Sequence, residues 1–301
     1  MSAAAPAAAT FSQGPAAAAR AGPRAPRSLW VLPPLLVLVG IFFYPLFFIV
    51  RQSLMGDAGP PTFAHYATVM TSTVFKAAFV RTMEIAVIST LGCLCLGFLL
   101  ALIVSFVPFP GARVVSGFID TILAFPSFLI ALSFSFLYGS AGAFNFLLMD
   151  VLHLKEPPLD FVYTMWGVVL AEITFYTPFV MRPLLAAFSH IDTALIEVAS
   201  SLGARPMRII REIIFPEAVP ALLAGGSLCL LLTLNEFGIV LFIGAKGVIT
   251  LPMVVYGKAI QEFDYTAGCV AAVINVLLSV GLYSLYRYVL SRTGGGRASV
   301  L

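Results

Sequence analysis

Charge is what this sequence lacks. Only 10% of its 301 residues are Asp, Glu, Lys or Arg, against 60% hydrophobic residues, and the mean hydropathy is +1.01. A soluble domain carries about a quarter charged residues. So much apolar surface does not fit inside one water-soluble core, and the chain reads as an all-α integral membrane protein. The net charge of +3 is not gathered into a basic stripe, which argues against nucleic-acid binding. Three histidines, His65, His153 and His190, are scattered outside the apolar runs. No Ser-His-Asp set or metal-ligand spacing appears, so no catalytic site and no metal or other cofactor is expected. The Gly-x-x-x-x-Gly-Lys-Ser/Thr phosphate loop is missing, so the chain is not expected to hydrolyse ATP itself. The four cysteines, Cys93, Cys95, Cys229 and Cys269, sit in apolar runs. Residues two apart on a helix do not share a face, so Cys93 and Cys95 make a poor ligand pair.

What is present is a set of long apolar segments. A spanning helix needs about 20 mostly apolar residues. Six segments qualify: Leu29–Val50, Ile85–Val107, Phe118–Tyr138, Met165–Ala187, Val219–Ile243 and Tyr265–Tyr286. Residues 1–28, rich in Ala and Pro with three arginines and no acid, read as a disordered cytoplasmic tail, and residues 291–301 as a second tail. The domain between them is expected to cover 29–290. With the N-terminus inside, cytoplasmic segments hold 11 of the 17 Lys and Arg and outer segments 6, an excess that favours both termini in the cytoplasm. Prolines interrupt several spans, among them Pro45, Pro126 and Pro178. In lipid such breakers survive where neighbouring groups satisfy the freed carbonyls. No internal repeat is visible.

The one long charged element lies between the fourth and fifth spans, within residues 188–218. Asp192 is placed to cap a helix over roughly Thr193 to Leu202. Leu195, Val198, Ala199 and Leu202 form an i, i+3, i+4, i+7 apolar stripe. Gly203 falls where a left-handed cap is wanted, and Pro206 where a second helix starts. Met207, Ile210 and Ile214 extend the stripe, Arg208 and Glu212 are spaced to pair, and Pro216 and Pro220 are expected to end the element. The spacing predicts two short helices joined by a glycine turn. Their apolar stripe would be covered by another protein or by the lipid surface.

The pattern Glu197-x-Ala199-x3-Gly203-x9-Ile213-x-x-Pro216 resembles the EAA loop of the permease subunits of bacterial binding-protein-dependent ABC importers. Val198 stands at the first Ala place and Phe215 at the usual Leu. The resemblance covers roughly Trp30 to Arg292. It implies the six-helix core of a type I importer permease in the bacterial inner membrane. It also implies a coupling loop carried by Glu197, Ala199, Gly203, Ala204, Ile213 and Pro216, which docks into a cytoplasmic ATPase. The implied partners are two ABC ATPase subunits, a second permease subunit, identical or homologous, and a periplasmic solute-binding protein, all assembled on the lipid bilayer. The run Asn235 to Gly247, followed by Thr250-Leu251-Pro252, is similar to the branch handling sulfate, molybdate, iron and polyamines. Together with Phe109-Pro110-Gly111 and Ala171-Glu172-Ile173-Thr174, it looks most like the 2-aminoethylphosphonate permeases of that branch, which implies phosphonate uptake.

Four acids lie in or at the edges of spans: Glu84, Asp120, Glu172 and Glu236. A charge in lipid costs at least a few kcal/mol, so each needs a cavity or a partner. Glu84 is spaced to pair with Arg81, and Asp120 is expected to be structural. Glu172, Asn235, Glu236 and Gly238 are the candidates for the translocation path, with helix-holding as the competing role for the acids. A proton-coupled carrier using these acids is the rival class to an ATP-driven importer.

Overall fold

The computed structural model describes residues 31–56 and 59–292, so both predicted tails lie outside the described residues except for 291–292, which continue the last helix. All described regular structure is helical. Six helical stretches among the described residues are long and apolar enough to cross a membrane: Leu32–Met55, Thr73–Phe106, Ser127–Leu152, Met165–Phe188, Pro206–Leu234 and Tyr265–Tyr288.

The chain divides into two compact units, residues 1–48 and 49–301. The first holds most of α1 (Leu32–Met55). Pro33 sits in its first turn, where a missing N–H costs nothing. A π turn over Val39–Phe43 immediately precedes the turn containing Pro45, which cannot donate to residue 41.

In the second unit, α2 (Ala64–Thr71) leads into α3 (Thr73–Phe106), capped by Ser72, whose hydroxyl accepts from Phe75 N–H at 3.2 Å. Its 34 residues span about 51 Å. It starts 12 residues before the predicted Ile85, because the hydropathy run was cut short by Lys76, Arg81 and Glu84. Those charges sit on the first turns, where Arg81 pairs with Glu84 at 2.8 Å, both half-exposed. The face that α3 buries is made mostly of small residues, among them Ala78, Ala86, Ser89, Cys93, Gly97 and Ala101, with Phe75 and Ile85 as the large ones. Without a hydrophobic drive between helices in lipid, small side chains bring backbones close enough for dispersion to hold them. α3 packs there against α7 (Met165–Phe188) and α9 (Pro206–Leu234). α7 is the central helix, with 61% of its apolar window buried. Val168, Val180, Met181 and Leu184 lie at its core.

Two predicted spans are corrected. The third was expected to run unbroken from Phe118 to Tyr138. It is instead α4 (Ala112–Ile122) and α5 (Ser127–Tyr138), separated at Pro126, whose extended backbone (ψ 142°) begins the second helix. Proline pushes the residue before it out of helical geometry. α5 then turns at Gly139–Gly142 into α6 (Ala143–Leu152). The fifth was expected over Val219–Ile243, separated from the loop by Pro216 and Pro220. Instead the helix runs from Pro206 through both prolines to Leu234, then breaks, and a short α10 (Gly238–Ile243) follows. A π turn over Ile210–Ile214 absorbs the donor that Pro216 lacks, so the proline bends the register without ending the helix. A second small core, with Phe75, Ala78, Leu251, Val254 and Ala271, joins α3 to α11 (Leu251–Tyr256) and α12 (Tyr265–Arg292). There Thr82 Oγ1 accepts from Leu251 N–H at 2.8 Å.

Candidate functional site

The loop after α7 is built as the residue pattern demands. Asp192 Oδ1 accepts from Ala194 N–H at 2.9 Å, starting α8 (Thr193–Ser201). Gly203 ends it with φ +82°. Gly203 N–H donates to Ser200 O at 2.9 Å and Ala204 N–H to Ala199 O at 3.0 Å. These are the two crossed bonds of a Schellman cap. Ala199 and Ala204, on either side of the cap, both pack against the core. The predicted stripe is divided between two faces. Ile196 and Ala199 turn inward, whereas Leu195 (58% exposed), Val198 (58%), Leu202 (84%) and Met207 (72%) point outward. Glu197 on the first arm is exposed; on the second arm Ile213 packs inward and Pro216 is exposed. Arg208 Nε donates to both Glu212 oxygens at 3.1 and 3.0 Å. This exposed pair contributes only a few tenths of a kcal/mol, so the shape of the loop comes from its cap and inward contacts. Among the described residues, this outward apolar patch is left exposed.

A polar cluster lies at the break between α9 and α10. Glu236 is 6% exposed. Its Oε1 accepts from Ile239 N–H at 2.7 Å and from Ser127 O–H at 3.1 Å, and Oε2 accepts from the hydroxyl of Tyr176. The carboxylate caps the first turn of α10, where the helix dipole favours a negative group, and ties α5, α7 and α10 to one point. Gly238 permits this approach: a Cβ there would stand 2.9 Å from Ser127 Oγ. On the other side of the break, Asn235 Nδ2 donates to Ser279 Oγ at 3.1 Å, and Asn275 Nδ2 donates to Asn235 Oδ1 at 2.9 Å. That anchors the break to α12. Glu172 lies one turn before Tyr176 on α7, fully buried, with Ser89 beside it; among the described residues none stands within ordinary hydrogen-bond geometry of its carboxyl oxygens.

The profile of the binding-protein-dependent transport system inner membrane component family matches residues 94–295. This chain belongs to that family. It is thus a multi-pass inner-membrane transport permease. Among its relatives, the protein PhnU of Salmonella typhimurium, named for 2-aminoethylphosphonate transport, is 56% identical over 266 residues, which is 88% of this chain and 93% of that one. The sulfate transport permease CysT of the same organism is 27% identical over 263 residues, 85% of this chain and 91% of that one. Among solved structures, a bacterial ABC transporter that imports the acidic polysaccharide alginate matches with a TM-score of 0.75 at 18% identity, over 89% of this chain and 96% of that one. A second structure of a bacterial alginate transporter, in complex with a pentasaccharide-bound periplasmic protein, matches with a TM-score of 0.70 at 20% identity. At such identity these structures speak for the permease fold alone.

The permease's candidate residues thus fall in two places. Glu197, Ala199, Gly203, Ala204, Ile213 and Pro216 share the loop, and Asn235, Glu236 and Gly238 share the helix break. Glu172 is on the same helix as Tyr176, within the buried interior. Sequence reasoning missed Tyr176, Ser127, Asn275 and Ser279, the partners that hold the break. Nothing in their spacing marks them, since each lies at least 40 residues from the group it meets. Also missed was Asn145, fully buried on α6, whose amide donates to Gly139 O and Leu159 O at 2.8 Å and accepts from Leu159 N–H at 2.9 Å. Among the described residues no cluster of metal-ligating side chains occurs.

Proposed function

We propose that this permease is the non-catalytic membrane subunit of an ATP-driven importer for 2-aminoethylphosphonate. Identity of 56% across 88% of the chain to a protein named for that substrate carries the proposal. Both termini and residues 188–218 lie in the cytoplasm, as the distribution of basic residues favours. Glu197, Ala199, Gly203, Ala204, Ile213 and Pro216 form the coupling loop, with Glu197, Gly203 and Pro216 on its exposed surface and Ala199, Ala204 and Ile213 holding it against the core. Leu195, Val198, Leu202 and Met207 supply the apolar patch that an ATPase subunit covers. The remaining partners are a second ATPase copy, a second permease subunit and a periplasmic solute-binding protein. A continuous helix from Pro206 to Leu234 links the loop to the break at Asn235-Glu236-Phe237. Closure of the ATPases on the loop would therefore shift the break as one rigid lever. Glu172, Asn235, Glu236 and Gly238 border the translocation path, with Glu236 setting the position of the gate through α5, α7 and α10.

The test is uptake of labelled 2-aminoethylphosphonate by cells lacking the chain, with and without a plasmid copy. Uptake restored by wild type and lost, along with ATPase co-purification, in Ala199→Asp is the expected result. Restored uptake of sulfate but not of the phosphonate would move the substrate to that of the 27%-identical relative. Transport by the chain alone in liposomes under a pH gradient would replace the ATP-driven mechanism with a proton-coupled one.

A further inference from the structure

At the end of α7 opposite the coupling loop lies a half-open cavity of about 440 Å3. The 24 residues of α7 put it about 35 Å from the loop end of that helix. Its polar lining comes from four separate segments: Arg81 on α3, Ser140 after α5, Asp160, Tyr163 and Thr164 ahead of α7, and Lys246 between α10 and α11. The rim is tied together, since Lys246 N–H donates to Tyr163 O at 3.1 Å. Arg81 is oriented by Glu84 at 2.8 Å and by Met165 Sδ at 3.3 Å. Lys246 and Asp160 take part in no ion pair among the described residues. The cavity therefore presents two cations, one unpaired carboxylate and the hydroxyls of Ser140, Tyr163 and Thr164.

We infer that this cavity is a binding site for a small zwitterion carrying a tetrahedral phosphorus oxyanion and an ammonium group, an inference that rests on the proposed phosphonate importer. Arg81 and Lys246 supply charge-assisted bonds to the oxyanion, the guanidinium with a geometry that matches two oxygens at once. Asp160 receives the ammonium. The same carboxylate disfavours a plain dianion such as sulfate, so attraction and repulsion act together in selection. One chemistry has two sources here. Free 2-aminoethylphosphonate carries it, and so does the phosphoethanolamine headgroup of a bilayer lipid. Exposed Trp166 and Tyr163 beside the cavity suit the level of lipid headgroups.

The test uses the assembled permease–ATPase complex, without its solute-binding protein, in phosphatidylglycerol nanodiscs, with binding of 2-aminoethylphosphonate and of ethylphosphonate, which lacks the ammonium, read by ligand-observed NMR. Wild type is expected to prefer the zwitterion by roughly tenfold, Lys246→Ala to bind it roughly tenfold more weakly, and Asp160→Asn to bind both ligands alike. Both substituted side chains are exposed, so the complex is expected to assemble. Suppression of the soluble ligand by added phosphatidylethanolamine supports the site and assigns it to the lipid; no suppression supports it and assigns it to the solute. Equal wild-type binding of the two ligands, no binding, or binding unmoved by both substitutions overturns the inference. Cellular uptake separates the two ideas. Absent wild-type uptake with intact, variant-sensitive binding sinks the proposed substrate and spares the site. Intact uptake with variant-insensitive binding sinks the site and spares the substrate.

Discussion

Replacing Gly203 isolates the geometry of the coupling loop from its chemistry. The residue holds φ +82°, and a Cβ built there meets no atom within 4 Å. Steric conflict with neighbours therefore contributes nothing to the cost of alanine. What remains is the penalty of left-handed backbone for a residue with a Cβ, about 1–2 kcal/mol. That penalty lowers the population of the crossed cap, Gly203 N–H to Ser200 O and Ala204 N–H to Ala199 O, by roughly 5–30-fold relative to competing loop shapes. Asparagine tolerates the left-handed region, so Gly203→Asn is expected to stay close to wild type. Valine, branched at Cβ, is expected to be worst. The order Gly, Asn, Ala, Val should appear in the amount of ATPase subunit retained by purified permease and in substrate-stimulated ATP hydrolysis of the reconstituted complex. Overall fold should be unchanged, because Gly203 is exposed and lies outside the core. Alanine behaving like glycine would refute the reasoning. So would asparagine as harmful as valine, since side-chain bulk against a partner would then be the cause.

At the helix break, Glu236→Ala leaves the Tyr176 hydroxyl and Ile239 N–H without acceptors. The expected loss is roughly 2–6 kcal/mol of stability, seen as a lower melting temperature of the detergent-purified complex. Glu236→Gln keeps one acceptor oxygen and should cost less than half as much; equal melting of wild type and Ala would refute this. Asn145→Ala removes three bonds to backbone groups of Gly139 and Leu159, for about 2–4 kcal/mol. Hydrogen exchange at the Leu159 amide should speed up, and unchanged protection would show that another group holds that loop.

Much of this protein is written in local sequence. Membrane residence follows from composition, because no soluble core can hide so many apolar residues. The loop after α7 was legible to single bonds: Asp192 caps, Gly203 adopts the left-handed turn and Arg208 meets Glu212, since caps and i, i+4 pairs depend on neighbours along the chain. The fourth span, from Met165, was legible from the length of its apolar run. The start of α3 was not, because charges that a hydropathy window rejects are harmless on a helical turn where Arg81 and Glu84 neutralise each other.

Two features required the folded chain. Pro216 and Pro220 look like stops, yet the helix passes through them: a π turn precedes Pro216, and packing against α3 and α7 holds the helix together through Pro220. Glu236 looks like an isolated charge amid apolar residues, yet the fold surrounds it with donors from α5, α7 and α10. Composition and short-range spacing determine where helices can form and which segments face water, since those depend on solvent and near neighbours. Which helix yields at a proline, and which buried carboxylate finds partners, depends on groups brought together from distant parts of the chain, and only tertiary packing decides that.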